Sequence, residues 1–305
     1  MPLISVIMPV RNSISFLPET LESIFNQTEK RFEIYAINDG STDESEAYLK
    51  SIQDERLTII SPGKIGLVKS LNLGIQYAKT QFIAICDSDD IYTNTRFEEQ
   101  LNFLISKPDY NLVGSNIKYF GSSIFNKVWS IKMPSENEQI VGALIKGLSS
   151  IVHSTVMMRT EVVKSIGGYN EEYFPAPDYA LFLELTNYGK MANLKSNLAY
   201  IRLHKASIMS NQLNEGLKKY EKSRLDFCRA NKDLLARNKF SNITQYLFSK
   251  LRHLEFKAIV LYRMGIFNYV NNNQLKGILL IALSGLISPR RSIVFLKRKI
   301  KEIVN

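Results

Sequence analysis

Asp87-Ser88-Asp89 sets two carboxylates one residue apart, with Asp90 directly behind. Carboxylate oxygens are hard donors, and a pair so spaced can hold a divalent cation against a nucleotide's phosphates. The plainer alternative is a helix N-terminal cap with solvated carboxylates. A second stretch, Asn38-Asp39-Gly40-Ser41, is either a strand-to-helix turn with capping residues or a place where Asp39 accepts an N–H from the edge of a nucleobase. His153 stands beside Ser154 and Thr155 near an apolar run, where a histidine is commonly a satisfied core residue.

Such residues need a scaffold that brings the two acidic stretches together. The flanking pattern supplies one. Ile4–Met8, Phe32–Ile37, Leu57–Ile60 and Phe82–Cys86 are short apolar runs suited to buried strands. Between them, 16–27 and 67–78 have helical spacing, the second with Leu67, Leu71, Ile75 and Ala78 on one face. Ser41-Thr42-Asp43-Glu44 predicts a capping box opening a helix through Gln53, and a further helix is expected over 96–105. Strand–helix alternation of this kind predicts an α/β fold, a Rossmann-like, mainly parallel sheet flanked by helices. Ligands of such sheets bind outside the carboxyl ends of the strands. Both acidic stretches follow strands, so both are expected on that rim. Residues 107–204 read as short strands and loops with a helix over 179–187.

Composition narrows the classes. With 305 residues and 45% hydrophobic side chains, the chain can bury a full core without staples. Two cysteines, Cys86 and Cys228, leave no disulfide framework, and three histidines make a zinc site of Cys and His a poor expectation. Cys86 reads as a small buried hydrophobe. The net charge of +10 is uneven: residues 1–204 carry 19 Lys/Arg and 23 Asp/Glu, whereas residues 205–305 carry 20 and 6. An enzyme-like part followed by a basic appendage is expected, with the boundary at 210. Met1–Asn12 lacks the pattern of a signal peptide. The longest uncharged apolar run, Gly277–Ile287, would span about 16 Å as a helix against roughly 30 Å of bilayer core, so no transmembrane helix is expected.

Four stretches, in order and at matching spacing, resemble inverting family 2 glycosyltransferases of the GT-A fold: Ser5–Asn12, Asn38–Asp43, Gly66–Ile75 and Asp87–Asp90. The resemblance continues through His153–Arg159, Gly167-Gly168-Tyr169, Asp178-Tyr179 and Tyr200–His204, covering about residues 3–210. It implies roles by position. Pro9, Val10 and Asn12 would line a uridine pocket, Asp39 would bond the base, and Asp87 and Ser88 would approach the ribose. Lys69 and Asn72 would lie near the nucleotide, Lys69 adding positive charge unless it is a solvent-facing helix lysine. Asp89 and His204 would hold Mn²⁺ or Mg²⁺ on the diphosphate. Asp178 would be the catalytic base, and His153 would lie toward the acceptor. Three positions depart from the family pattern: Arg11 for a tyrosine, Asn38 for an aspartate, and Pro177 where a glutamate usually precedes the base.

The chemistry so implied is metal-assisted transfer of a sugar from a nucleotide-sugar, expected to be a UDP-sugar, to a saccharide hydroxyl with inversion. The acceptor class implied is a lipid-linked saccharide, as in lipopolysaccharide, O-antigen or capsule assembly. A sugar nucleotidyltransferase is disfavoured, because Pro9-Val10-Arg11-Asn12 stands where a Gly-rich basic loop would follow the first strand. A non-catalytic, membrane-bound saccharide-binding protein is the other alternative. From 211 onward the chain reads as helical and basic. Leu247, Leu251, Leu254, Ala258 and Leu261 form one stripe, and His253 in that stretch reads as structural. A turn is expected at Asn271-Asn272-Asn273, a helix over 275–288, and a basic amphipathic helix over 292–303. That last helix is either an interfacial anchor on an anionic membrane or a helix packed on the body. Without a recognised nucleic-acid module, nucleic acid is a poor partner. The expected place is the cytoplasm, peripheral on the cytoplasmic face of the inner membrane.

Overall fold

The computed structural model describes residues 1–121, 128–145, 148, 150–173, 176–204, 261–262, 264–269, 271 and 273–287. Among these, Met1–Lys118 and Ser130–Arg202 form one unit, and 119–121, 128–129, Leu203, His204 and 261–287 belong to a second. The expected boundary at 210, Cys228, the stripe 247–258 with His253, and the helix over 292–303 lie outside the described residues.

In the first unit the early strands are β1 (Ile4–Val10), β2 (Phe32–Asn38), β3 (Leu57–Ile60) and β4 (Phe82–Ile85). They stand in the order β3-β2-β1-β4, all parallel. β1, β2 and β4 are buried almost without interruption, as strands covered on both faces must be. Helices α1 (Leu17–Phe25), α2 (Ser45–Ser51) and α3 (Leu67–Tyr77) connect them. α3 lies very close to the sheet. A Cβ on Gly74 would come within 2.5 Å of Ile7 Cγ2 and 3.0 Å of Ile37 Cδ1. A glycine inside a helix costs about 1 kcal/mol relative to alanine; here it permits that approach.

Beyond β4 come β5 (Ile91–Tyr92), α4 (Arg96–Ser106), β6 (Tyr110–Phe120), β7 (Val128–Ile131) and α5 (Asn137–Ile145). A 3-10 turn (His153–Thr155), β8 (Met157–Arg159), α6 (Thr160–Ser165), α7 (Pro177–Leu185) and β9 (Lys190–Arg202) follow. They extend the sheet in the order β4-β8-β6-β9-β5, and the β4/β8, β6/β8 and β5/β9 pairs are antiparallel. Of the strands over 107–204, β7 and β8 are short as expected, with 4 and 3 residues, and α7 lies near the helix expected over 179–187, but β6 has 11 residues and β9 has 13. The fold is the expected α/β class with its GT-A layout.

The expected capping box is also corrected. α2 begins only at Ser45, and the side chain of its N-cap residue, Glu44, makes no capping bond. Ser41 Oγ instead accepts the Asn12 N–H (3.1 Å), and Asp43 accepts the N–H groups of Ile14 (3.2 Å) and Ser45 (3.0 Å). Ser41 thus binds the neighbouring loop, while Asp43 serves both that loop and the first N–H of α2.

In the second unit, α8 (Gln274–Ile287) follows helical residues 264–269. Among the described residues no helix is long and apolar enough to cross a membrane.

Candidate active site

The sheet opens where its connectivity reverses. The chain runs β1, β2, β3 to one side, then places β4 on the other side of β1. Such a reversal leaves a crevice at the carboxyl ends of the two strands. β1 and β4 pair only as far as Ile7 and Ile85, closed by the Cys86 N–H to Ile7 O bond (3.1 Å). Pro9 lies two residues further on, so its N faces the side from which β4 has already departed. The missing N–H of proline thus leaves no gap in the ladder. On the other side, β1 stays paired with β2 through Val10 and Asn38.

Three loops meet at this opening and are stitched by side chains. Ser13 Oγ is 2.7 Å from Ser88 Oγ, and the Ser13 N–H donates to Ser45 Oγ at 2.8 Å. Asn12, with a left-handed φ of 50°, accepts the Thr42 N–H on Oδ1 at 2.7 Å. The loop after β1 is thereby tied to the loops after both neighbours, and the positions of Asp39 and Asp87–Asp90 are fixed relative to each other.

Asp39 is buried and well supplied with donors. Its Oδ1 accepts the N–H groups of Ile65 (2.6 Å) and Gly66 (2.7 Å), while Oδ2 faces Arg11 Nη1 at 3.4 Å. Gly40 makes this possible. It has a left-handed φ of 64°, and a Cβ there would meet Lys64 N at 2.9 Å. Arg11, the departure from tyrosine, is the cation that pairs with Asp39.

The loop after β4 is the opposite case. Oxygens of Asp87, Asp89 and Asp90 all lie within 4.8 Å of one another. Burial, then the charges of Asp89 and Asp178, push the Asp87 carboxyl up to about 7, against the pull of Arg96. Asp90 is raised too, by burial and by its two neighbours. Its oxygens are already engaged by Ser154 Oγ (2.8 Å) and the Arg202 N–H (2.9 Å).

Two buried arginines hold this loop, and neither was singled out from the sequence. Arg96, fully buried, donates to Ile85 O (2.9 Å), Cys86 Sγ (3.3 Å) and Gln100 Oε1 (3.1 Å), and lies over the Tyr92 ring at 4.4 Å. Tyr92 Oη in turn accepts the Asp87 N–H at 2.7 Å. Arg202 donates through Nε to Asp89 O (2.9 Å), pairs with Glu19 through Nη2, and stacks over Phe16. A signal for Arg96 existed: Arg96, Gln100 and Leu104 share the inner face of α4 at i, i+4, i+8. Cys86 is buried beneath the loop, its thiol raised to about 11 by burial.

Asp178 lies in the first turn of α7, after Pro177, and its charge reaches the cluster: it raises Asp87 and Tyr169 and opposes the burial that lowers His153. His153 Nε2 is 2.7 Å from Tyr169 Oη. Asn72 clamps the backbone of Tyr169, accepting its N–H (2.8 Å) and donating to its carbonyl (2.7 Å).

The structure therefore gathers Pro9, Asp39, Asp87, Ser88, Asp89 and Asp178 about one rim, and treats five other expected residues differently. Val10 has a fully buried side chain and contributes its carbonyl to the Asp39 N–H (2.9 Å). Asn12 and Asn72 spend their amides on loop and backbone contacts. Lys69 is exposed, 3.7 Å from the equally exposed Glu171. His204 belongs to the second unit, next to Leu203, whose N–H bonds Phe120 O at 2.8 Å.

The sequence profile of Glycosyl transferase family 2 matches residues 5–167. The chain is 30% identical over 242 residues to an uncharacterized glycosyltransferase of Haemophilus influenzae, covering 74% of each. It is 30% identical over 217 residues to WfaP of Escherichia coli, covering 70% of this chain and 83% of the relative. WfaP is named a UDP-Glc:alpha-D-GlcNAc-diphosphoundecaprenol beta-1,3-glucosyltransferase. Two solved structures share the fold. S. aureus TarS in complex with UDP-GlcNAc has a TM-score of 0.55 at 19% identity, over 96% of this chain and 92% of that one. The mannosyltransferase PcManGT of Pyrobaculum calidifontis, with GDP-Man and Mn²⁺, has 0.54 at 14% identity, over 93% and 87%.

Proposed function

This chain belongs to glycosyl transferase family 2 and is a glycosyltransferase of the kind that acts on nucleotide sugars; from that premise we propose metal-dependent, inverting transfer from a UDP-sugar to a hydroxyl of a lipid-linked saccharide in surface polysaccharide synthesis. Membership of the family removes the nucleotidyltransferase and non-catalytic alternatives. One observation carries the proposal: Asp87, Asp89 and Asp90 crowd at the carboxyl end of β4, beside the opening of the sheet and within the field of Asp178.

The cluster fits a hard divalent cation. It offers oxygen donors only, and burial together with the crowded negative charge raises Asp87 and Asp90. Asp89 is the ligand the family resemblance implies, and Asp87 of the same cluster lies beside it. Mn²⁺ or Mg²⁺, when bound, supplies Lewis-acid stabilisation of the charge that develops on the departing diphosphate.

This chain's own residues do the rest. Asp39 presents Oδ2 to a pyrimidine N–H, because Oδ1 is filled by two backbone donors. Arg11 beside it takes the place of the family's tyrosine at the base. Ser88 is held by Ser13 and keeps the loop in register for the ribose. Asp178 takes the proton of the acceptor hydroxyl as that oxygen attacks C1 from the face opposite the leaving group. Lys69, exposed and near Glu171, reads as a solvent-facing helix lysine.

The diphosphoundecaprenol in the WfaP name supports an acceptor on a lipid diphosphate. The basic charge of 205–305 supports work at an anionic membrane surface, on the cytoplasmic side. A panel of nucleotide-sugars assayed for metal-dependent nucleotide release tests the proposal. UDP release restored to the EDTA-treated protein by Mn²⁺ or Mg²⁺ is expected. Full turnover in EDTA, or preference for a purine nucleotide, contradicts it.

A further inference from the structure

α8 turns its large apolar side chains outward. Leu275, Ile278, Leu279, Leu283 and Leu286 are 86%, 54%, 60%, 39% and 80% exposed. Elsewhere among the described residues, exposed large hydrophobics are scattered along the chain. On α8 they recur at i, i+3/i+4, i+8 and i+11, so they share one face. A contiguous apolar face marks an interaction surface, where isolated exposed leucines do not.

The opposite face is already committed. Gly277, Ile281 and Ser284 are buried. A Cβ on Gly265 would meet Ile281 Cγ1 at 2.5 Å, and one on Gly277 would meet Tyr269 N at 2.7 Å. The two helical segments are thus in near-backbone contact, joined through a turn in which the Asn273 N–H bonds Asn268 O at 2.8 Å. Held by these glycines, α8 cannot roll to bury its leucines.

The chemistry of the partner follows from length and charge. A helix of 14 residues is about 21 Å long and cannot cross roughly 30 Å of hydrocarbon. With one side packed and the other apolar, it suits the plane of a lipid interface. The same stretch of sequence, 205–305, carries 20 Lys/Arg against 6 Asp/Glu, which complements anionic headgroups. We infer that α8 is an interfacial membrane helix whose leucine face enters the headgroup–acyl boundary of an anionic bilayer. The inference rests on the membrane-surface part of the function proposed above and names the face that makes the contact.

Flotation of the full chain with vesicles of phosphatidylglycerol and phosphatidylethanolamine, and of phosphatidylcholine alone, tests it. Leu275→Gln, Leu279→Gln and Leu286→Gln together remove apolar surface without changing charge. The triple variant should partition at least about tenfold less to anionic vesicles, with thermal midpoint and UDP affinity unchanged. Separately, Leu279→Trp should be quenched by brominated acyl chains, whereas the native Trp129 alone should not. Equal flotation of the triple variant and wild type would overturn this face and leave membrane binding by other residues standing. No flotation of wild type on any vesicle would overturn both. A wild-type dimer in solution that the triple variant converts to monomer, without flotation, would make the face a protein contact and overturn the inference.

Discussion

The two acidic loops of the rim solve opposite electrostatic problems. Asp39 sits at the end of β2 with its charge met: two backbone N–H groups on one oxygen and Arg11 near the other. Asp87, Asp89 and Asp90 crowd together at the end of β4, where burial, then the charges of Asp89 and Asp178, lift Asp87 to about 7. A carboxylate with its donors in place is a fixed acceptor, suited to reading the edge of a base. A carboxyl such as Asp87, raised by burial and like charge, gains most from a cation. On the proposed function, recognition and catalysis are divided between these two loops, which flank the loop after β1.

The largest effect that would break this division is at Asp89. Asp89→Ala should lower turnover by at least about 10³-fold, since a Lewis acid contributes several kcal/mol to the transition state, and EDTA should do the same to wild type. Steady-state assays with and without Mn²⁺ check both. Next is Asp178→Asn, which keeps the shape but cannot take a proton. It should cost about 10²–10⁴ in kcat with nucleotide affinity little altered; lost binding with preserved turnover would move Asp178 to another role. Smaller still is Asp39→Ala, which should weaken UDP binding by about 1–3 kcal/mol. Calorimetry should find that loss equal with and without metal, because Asp39 belongs to the recognition loop.

The smallest effect is the most specific to the contrast. In the metal-free chain Asp87 is raised above its ordinary value near 3.8, to about 7. The folded state then holds the proton more tightly than the unfolded chain. The sign follows by linkage: the stability this proton contributes is complete below about pH 4 and is lost as pH rises to 7. A cation competes with the same proton, so Mn²⁺ affinity should rise across pH 6 to 8. Thermal midpoints with and without Mn²⁺ should diverge over that range, and Asp87→Asn should flatten the divergence.

Much of this was legible in the residues. The buried runs of β1, β2 and β4 and the stripe of α3 follow from period alone, and both acidic stretches at strand ends locate the rim. What was hidden depended on partners far along the chain. Ser41–Glu44 has the letters of a capping box, yet Asn12 claims Ser41. β6 and β9 are long because strands distant in sequence pair with them, which no local pattern records. Arg96 and Arg202 carry ordinary surface letters but are buried as supports of the acidic loop. Asn72 has the residue type of a ligand contact and spends both ends of its amide on Tyr169. The helix of 274–287 was legible; which of its faces is covered was set by Gly265 and Gly277, packing that sequence spacing does not reveal.

The central claim is that the loop after β4 holds a cation for the nucleotide while the loop after β2 does not need one. UDP titrated calorimetrically into wild type and Asp89→Asn, each with Mn²⁺ and with EDTA, tests it most directly. The account predicts that Mn²⁺ tightens UDP binding to wild type at least about tenfold and has no effect on Asp89→Asn, whose residual affinity matches wild type in EDTA. Equal tightening of both proteins by Mn²⁺ would contradict it.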